Sequence, residues 1–302
     1  MHTLRVIIAV MHVRIIANPI SGGGRGPQTA AALASALEPH GITSETRITG
    51  QAGDARAWAK EPGADCVVSV GGDGTLNEVA NALAGVGIPI ATFPLGTANV
   101  VASELRIPTD PAALANLIAT NSTRVIDAGR AGERLFLLGA GAGLDAAIVE
   151  VVHKNRGAKL SFLSYVWPAV KTILTYPYPH ITVEIDGQTV CTDAHYAIVG
   201  NCSWSAGVFR ATPKALLDDG LLDVCILRNL SISKILWLIL LAQLHGFAER
   251  SAVMYRQGRE IGLASTTGAA VPLQIDGDPA GQLPATFTVE ARALTVVAPQ
   301  ST

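Results

Sequence analysis

Charge is scarce in this chain. Of its 302 residues only 15% are Asp, Glu, Lys or Arg, against 49% hydrophobic, and the formal net charge is −2. Without a basic excess there is little to neutralise a phosphate backbone, which argues against nucleic acid as the main partner. Cysteine is sparse too. Cys66, Cys191, Cys202 and Cys225 are widely spaced, with no CxxC and no Cys/His zinc spacing. They read as reduced, buried thiols of a cytoplasmic protein rather than a disulfide framework or a zinc site. Long apolar runs are also missing. Leu4 to Ile16 is broken by Arg5, His12 and Arg14, and Ile235 to Ala242 is only eight residues. Neither is long enough to span a bilayer, and no small-residue cleavage site follows the first. No Gly-Lys-Ser/Thr follows any glycine loop, which excludes a Walker A motif. What is present is apolar surface. A mean hydropathy of +0.36 is high for a soluble protein and points to a greasy ligand, a membrane surface or a large interface. The length suffices for two domains.

The central stretch is Asp65 to Leu83, which reads as strand, glycine loop, helix. Cys66 to Val70 is short, apolar and β-branched, as a buried parallel strand should be. Leu76, Val79, Ala80 and Leu83 fall on one face of a helix. Between them, Gly71, Gly72 and Gly74 clear Cβ atoms from the backbone, and the helix start offers N–H groups to an anion. A glycine cluster is equally a tight turn. Asp73 tilts the reading, because phosphate repels a carboxylate unless a metal or a proton transfer employs it. Two further loops follow strands: Asn18-Pro19-Ile20-Ser21-Gly22-Gly23-Gly24-Arg25-Gly26 after Val13 to Ala17, and Pro94-Leu95-Gly96-Thr97-Ala98-Asn99 after Gly87 to Phe93.

With these motifs the chain resembles the diacylglycerol kinase catalytic family, which includes bacterial lipid kinases, sphingosine kinases and ceramide kinases. Gly71-Gly72-Asp73-Gly74-Thr75 is similar to the family's nucleotide signature. NAD kinases and phosphofructokinases share its Gly-Gly-Asp-Gly core, but not the Pro94 to Asn99 motif in this form. The resemblance implies nucleotide contacts at Asn18, Pro19, Ser21, Gly22, Thr49 (or Thr46), Gly71, Gly72, Asp73, Gly74, Thr75, Asn77, Glu78, Gly96, Thr97 and Asn99. Val100 stands where many relatives carry an acid. Asp127 lies at the family's crossing into its second domain and joins the candidate catalytic residues. Asp276-Gly277-Asp278 resembles the family's Asp-Gly-Glu motif, whose acids are implicated in deprotonating the lipid hydroxyl; here the second acid is one methylene shorter. Asp218-Asp219-Gly220 resembles a structural magnesium turn, with ligands Asp219 and the backbone of Leu216 and Leu221.

The expected architecture is α/β. A three-layer nucleotide-binding domain with a mainly parallel sheet covers 1–128 with a tail of about 291–302, and a β-sandwich-like lipid-substrate domain covers 129–290. Residues ahead of Met11 read as an extension or a misassigned start. Leu160 to Leu174 and Ile235 to Ala242 read as helices, the latter a core helix or a face that touches membrane or acyl chain. The resemblance implies an ATP- and Mg2+-dependent kinase of a lipid hydroxyl, most simply diacylglycerol. It would dock transiently on the inner membrane face, and dimers occur among bacterial relatives. Asp278, with Asp276, is the expected base, and Asp73 is its rival. A soluble-substrate kinase of the NAD kinase type and a non-catalytic nucleotide- or lipid-binding relative remain open.

Overall fold

The computed structural model describes residues 10–154, 170–203, 210–228 and 253–300. The chain divides into two compact units, 1–125 with 294–302 and 126–293. The Ile235 to Ala242 stretch and most of Leu160 to Leu174 lie outside the described residues; of the latter, 170–175 are helical.

The first unit is built on parallel strands. β1 (His12–Ala17) is flanked by β2 (Thr43–Ile48) and β3 (Cys66–Gly71), and β3 pairs in turn with β4 (Ile90–Pro94). The order β2-β1-β3-β4 reverses direction between β1 and β3. In such sheets ligands bind outside the carboxyl ends of the strands at that switch point. Every residue of β3 is buried, as its apolar, β-branched sequence requires of a strand covered on both faces. The cover comes from α2 (Gly26–Leu37), α4 (Asp73–Leu83) and α6 (Pro111–Ala119). Leu33 and Leu37 of α2, Val79 and Ala80 of α4, and Leu114 of α6 are at 0% exposure. α4 begins at Asp73, earlier than the apolar spacing from Leu76 suggests, so the glycine loop runs directly into the first helical turn. Arg14 interrupts the apolar β1 and is nonetheless buried. Its guanidinium pairs with Glu45 on β2 and donates to the carbonyls of Trp58, Glu61 and Pro62. Val296 pairs in parallel with Ile90, which returns the C-terminal strand to this unit.

The second unit is antiparallel and β-sandwich-like. β5 (Thr123–Ala131) and β6 (Arg134–Phe136) form a hairpin. The long β9 (Gln188–Gly200) pairs along its first part with β8 (Ile181–Ile185) and along its last residues with β7 (Gly139–Gly143) and β10 (Leu222–Arg228). β11 (Val253–Gly258) extends β10, β12 (Glu260–Ser265) joins β8 to β15 (Ala285–Val297), and the hairpin β13 (Pro272–Ile275) with β14 (Asp278–Gln282) lies on β7. The apolar stretch Arg134 to Ala140 reads as one strand in the sequence but is split into β6 and β7. Residues 137–139 at the break turn their N–H groups to a carboxylate instead of a ladder partner. α7 (Leu144–Lys154) carries Leu144, Ile148, Val151 and Val152 at helical spacing but is not among the expected helices. Asp186-Gly187, a pair that favours a tight turn, forms a two-residue hairpin turn, with both φ angles positive and Ile185 opposite Gln188.

One core fills the sandwich. Phe136 and Phe287, both at 0% exposure, meet edge to face with ring centroids 6.1 Å apart, among Val183, Ala197, Val224 and Ile261. Truncating a buried phenylalanine loses transfer energy and leaves a cavity. Phe136→Ala is expected to destabilise the protein by about 3–5 kcal/mol, read as a lower urea midpoint with an unchanged slope.

Candidate active site

Three loops leave the carboxyl ends of β1, β3 and β4 in the first unit. The first follows Ala17. Asn18 donates its N–H to the Val70 carbonyl at 3.0 Å, and its side-chain Oδ1 accepts the Ile20 N–H at 3.1 Å. The single turn α1 (Ser21–Gly24) has left-handed φ at Gly22 and Gly23, and the Ser21 N–H reaches the Asn18 carbonyl at 3.3 Å. Arg25 folds back so that Nε donates to the Gly22 carbonyl at 2.7 Å. Thr49, at the end of β2, donates its N–H to the Ala17 carbonyl, beside the first loop.

The second and third loops interlock. Leu95 donates its N–H to the Gly71 carbonyl at 2.8 Å. A Cβ on Gly96 would lie 2.6 Å from Gly72 Cα and 2.8 Å from Asn99 Oδ1, so backbone packs on backbone here and only glycine fits. Asn99 closes its own loop: Oδ1 accepts the Gly96 N–H, and Nδ2 donates to the Gly96 carbonyl, both at 2.8 Å. Thr97 and Ala98 are exposed at the tip, and Thr75 is buried under Gly71. Asp73, Gly74, Asn99, Thr97, Ser21 and Gly22 therefore share one end of one sheet.

Asp73 does something the sequence does not foretell. Its carboxylate lies near the backbone N–H groups of Val100, Val101 and Asn99, at the start of α5 (Val100–Glu104), and they pull its pKa down. Burial pushes its pKa up against the pull of those donors. Glu78 has a similar occupation. Its two oxygens accept N–H groups from Gly53 at 3.1 Å and Arg56 at 3.4 Å, at the first turn of α3 (Asp54–Ala59). Asn77 accepts from the Asn81 amide on both its carbonyl and its Oδ1.

The remaining candidates belong to the second unit. Asp276 and Gly277 are the two turn residues of the β13–β14 hairpin, with φ of 49° and 81°. The Asp276 carboxylate accepts three consecutive backbone N–H groups, from Leu137, Leu138 and Gly139, each at 3.0 Å. Burial nevertheless raises its pKa. Asp278 differs: its side chain is 48% exposed and pairs with Arg134 at 3.2 Å. Arg134 also donates to the Ile275 carbonyl, so it holds the carboxylate to its own hairpin.

Asp127 is buried. Its oxygens accept the N–H groups of Gly220 at 2.7 Å and Arg292 at 2.6 Å. It thereby braces the turn that carries Asp219, whose Oδ1 accepts the Leu221 N–H at 3.0 Å. Burial, then the charges of Asp127 and Asp218, push the Asp219 pKa up. Among the described residues no three His, Cys, Asp or Glu side chains gather as metal ligands. A cation at this turn would depend on Asp219 and on carbonyls such as those of Leu216 and Leu221. Such oxygens suit magnesium, and the crowding of acids favours a cation there. Arg134, Asp145 and Gln274 were not candidates in the sequence. Gly141 was the available signal for Asp145, since it makes room for that side chain to lie over β7.

Two family models cover the chain in succession. The diacylglycerol kinase catalytic domain matches residues 12–131, and the YegS C-terminal NAD kinase beta sandwich-like domain matches 139–298. The chain is 28% identical over 298 residues to a diacylglycerol kinase of Staphylococcus haemolyticus, covering 95% of this chain and 88% of that protein. It is 28% identical over 297 residues to a diacylglycerol kinase of Staphylococcus aureus, with 95% and 92% covered. The fold is similar to that of a solved diacylglycerol kinase of Bacillus anthracis, with a TM-score of 0.73, 21% identity, and 95% and 96% of the two chains covered.

Gly96→Ala tests the interlocked loops. The added methyl group must part Gly72 from Gly96, and the expected outcome is a loss of nucleoside triphosphate affinity of about ten-fold or more by titration calorimetry.

Proposed function

This chain belongs to the diacylglycerol kinase catalytic-domain family and is a kinase, and on that premise we propose that it transfers the γ-phosphoryl group of ATP to a lipid hydroxyl, with diacylglycerol as the acceptor. The observation that carries the reading is the interlock of the Gly72 and Gly96 loops beside the Asn18 to Gly22 loop, at the switch point of a parallel sheet. That is the backbone arrangement in which phosphates are held by N–H groups. In this reading the first unit holds ATP and the second supplies the acceptor side.

The hydroxyl oxygen attacks the γ-phosphorus as the bond from that phosphorus to the β–γ bridging oxygen breaks. ADP leaves, and the hydroxyl proton passes to a carboxylate. Asp278 is the acceptor we favour, because Arg134 orients it and half of its side chain meets solvent. Asp276 is instead committed to three backbone N–H groups and fixes the turn. Asp73 is the rival base. Thr97 and the loop N–H groups would hold the phosphates. Asp73 would hold magnesium or its waters, and that ion would offset phosphate charge when bound. Among the described residues no helix is long and apolar enough to cross a membrane. Peripheral docking on the inner face of a membrane, from the cytoplasm, is the route to substrate that fits this reading, and a homodimer is compatible with it.

Labelled γ-phosphate from ATP should appear in phosphatidic acid when diacylglycerol is offered in mixed micelles with magnesium. Labelled NADP from an NAD control would favour the soluble-kinase reading, and ATP binding without any product would favour a non-catalytic one. Asp278→Asn is expected to lower kcat by roughly a hundred-fold or more with little change in the KM for ATP. Near-wild-type turnover in that variant, with loss in Asp73→Asn, would move the base to Asp73.

The Asp219 turn carries its own test. Its raised pKa means that ionisation costs the folded state stability as pH rises through that pKa, and a bound cation offsets the cost. Without nucleotide, Mg2+ should raise Tm at pH 8, raise it less as pH falls toward about 4, and leave Asp219→Asn unmoved. An equal rise in the variant would place the ion elsewhere.

A further inference from the structure

We propose that Asp145 is a positioning residue for Asp278, acting through the side-chain amide of Gln274. The inference rests on the reading of Asp278 as the base. Asp145 opens α7, and its carboxylate lies flat over the backbone of β7. A Cβ on Gly141 would fall 2.0 Å from Asp145 Oδ2, so this glycine is what makes room for the carboxylate. Gln274 stands opposite Gly141 on β13. Its Nε2 donates to Asp145 Oδ2 at 3.0 Å, and its Oε1 accepts the Gly277 N–H at 2.9 Å. Gly277 is the residue between Asp276 and Asp278.

This chain of bonds has a direction. Asp145 as a carboxylate can only accept, so Gln274 must turn its NH2 group toward it. That leaves the amide oxygen facing Gly277, whose N–H can only donate. The hairpin turn is therefore fixed on both sides: Asp276 is bound by the N–H groups of 137–139, and Gly277 by Gln274. Asp278 follows with one less degree of freedom. Sub-ångström placement of a base is worth large factors in rate, which gives such a brace a catalytic use.

Asp145 is a costly way to hold a turn if holding is all it does. Its donors are neutral: Gln274 and the Ala146 N–H at 2.7 Å, with the Tyr196 phenol close by. The titratable groups facing it are the phenols of Tyr196 on β9 and Tyr176, the latter also beside Glu150. Burial outweighs the hydrogen bonds, and its pKa is pushed up to about 6. The folded state accordingly gives up stability as pH rises through about 6, and a neutral side chain of the same shape would not. A residue that lowers stability while it orders a catalytic turn is the pattern expected of function rather than folding.

The test compares wild type, Asp145→Asn, and the double variant Asp145→Asn with Gln274→Glu, measuring kcat, KM for ATP and Tm at pH 8 and pH 5. In the single variant the amide oxygen introduced at position 145 stays with the Ala146 N–H, so its NH2 group faces Gln274, and two donors meet at one end of Gln274 or the other. We expect kcat to fall about ten-fold or more with the KM for ATP unchanged, and Tm at pH 8 to hold or rise, with any gain smaller at pH 5. The double variant reverses the polarity of the first bond. The amide introduced at position 145 donates, and the carboxylate introduced at position 274 accepts both from that amide and from the Gly277 N–H. It should recover most of the lost kcat. Wild-type kcat in Asp145→Asn, no recovery in the double variant, or a fall of Tm at pH 8 that tracks the loss of activity would each overturn the proposal. If Asp278→Asn is inactive in those same assays, the base assignment survives that failure. If Asp278→Asn is active, the base assignment itself has failed.

Discussion

Carboxylates that accept backbone N–H groups hold this protein together at its working ends. Glu78 takes those at the start of α3, Asp127 those of Gly220 and Arg292, and Asp276 three in a row at 137–139. Loops that bend sharply leave N–H groups without ladder partners, and a buried orphan donor costs about 1–3 kcal/mol. A short acidic side chain satisfies two or three at once, and the partial positive charge of a helix start adds to the attraction. The chain has few charged residues, and a notable share of its acids is used in this way. Asp186 does the same for Arg259 and Glu260 at the far end of a hairpin.

This use separates acids committed to backbone donors from acids that meet solvent or a cation. Asp276 and Asp127 have both oxygens committed to backbone donors. Asp278 instead meets solvent and a cationic side chain, Arg134. Burial raises the pKa of Asp73, Asp145, Asp219, Asp223 and Asp276 alike, so raised values alone do not mark the site. Geometry does: what each carboxylate touches decides whether it can accept a proton from a ligand, hold a cation or only fix a turn.

The two units also differ in how rigidly they prepare their loops. In the first, glycine backbones at Gly72 and Gly96 touch, and Asn99 closes its own loop with two bonds. Such a cradle is set before any ligand arrives, which favours phosphate binding because little ordering entropy is lost on association. In the second, the segment 137–139 is a hub. Asp276 takes its N–H groups while the Asn201 amide donates to the Leu137 carbonyl at 3.0 Å and to that of Asp127 at 3.2 Å. The hairpin acids and the Asp127 turn are tied to one another through that hub.

Much of this was legible in the residues themselves. Cys66 to Val70, a short β-branched run, reads as a strand covered on both faces, and the glycine loops after β1, β3 and β4 follow from local punctuation. Asp186-Gly187 suits its turn because both positions need positive φ, which Asp and Gly tolerate. These are short-range effects, and a sequence carries them in order. What only the tertiary structure decided is what each carboxylate serves. Nothing near Glu78 in the chain points to Gly53, and nothing near Asp276 points to Leu137, 139 residues earlier. Asp145 is the clearest case. Its meaning depends on Gly141 beneath it, Gln274 across the sheet and Gly277 beyond, three positions that only the pairing of β7 with β13 brings together. Hydrogen bonds act over about 3 Å of space whatever the separation along the chain, so the fold, not the order of residues, assigns their partners.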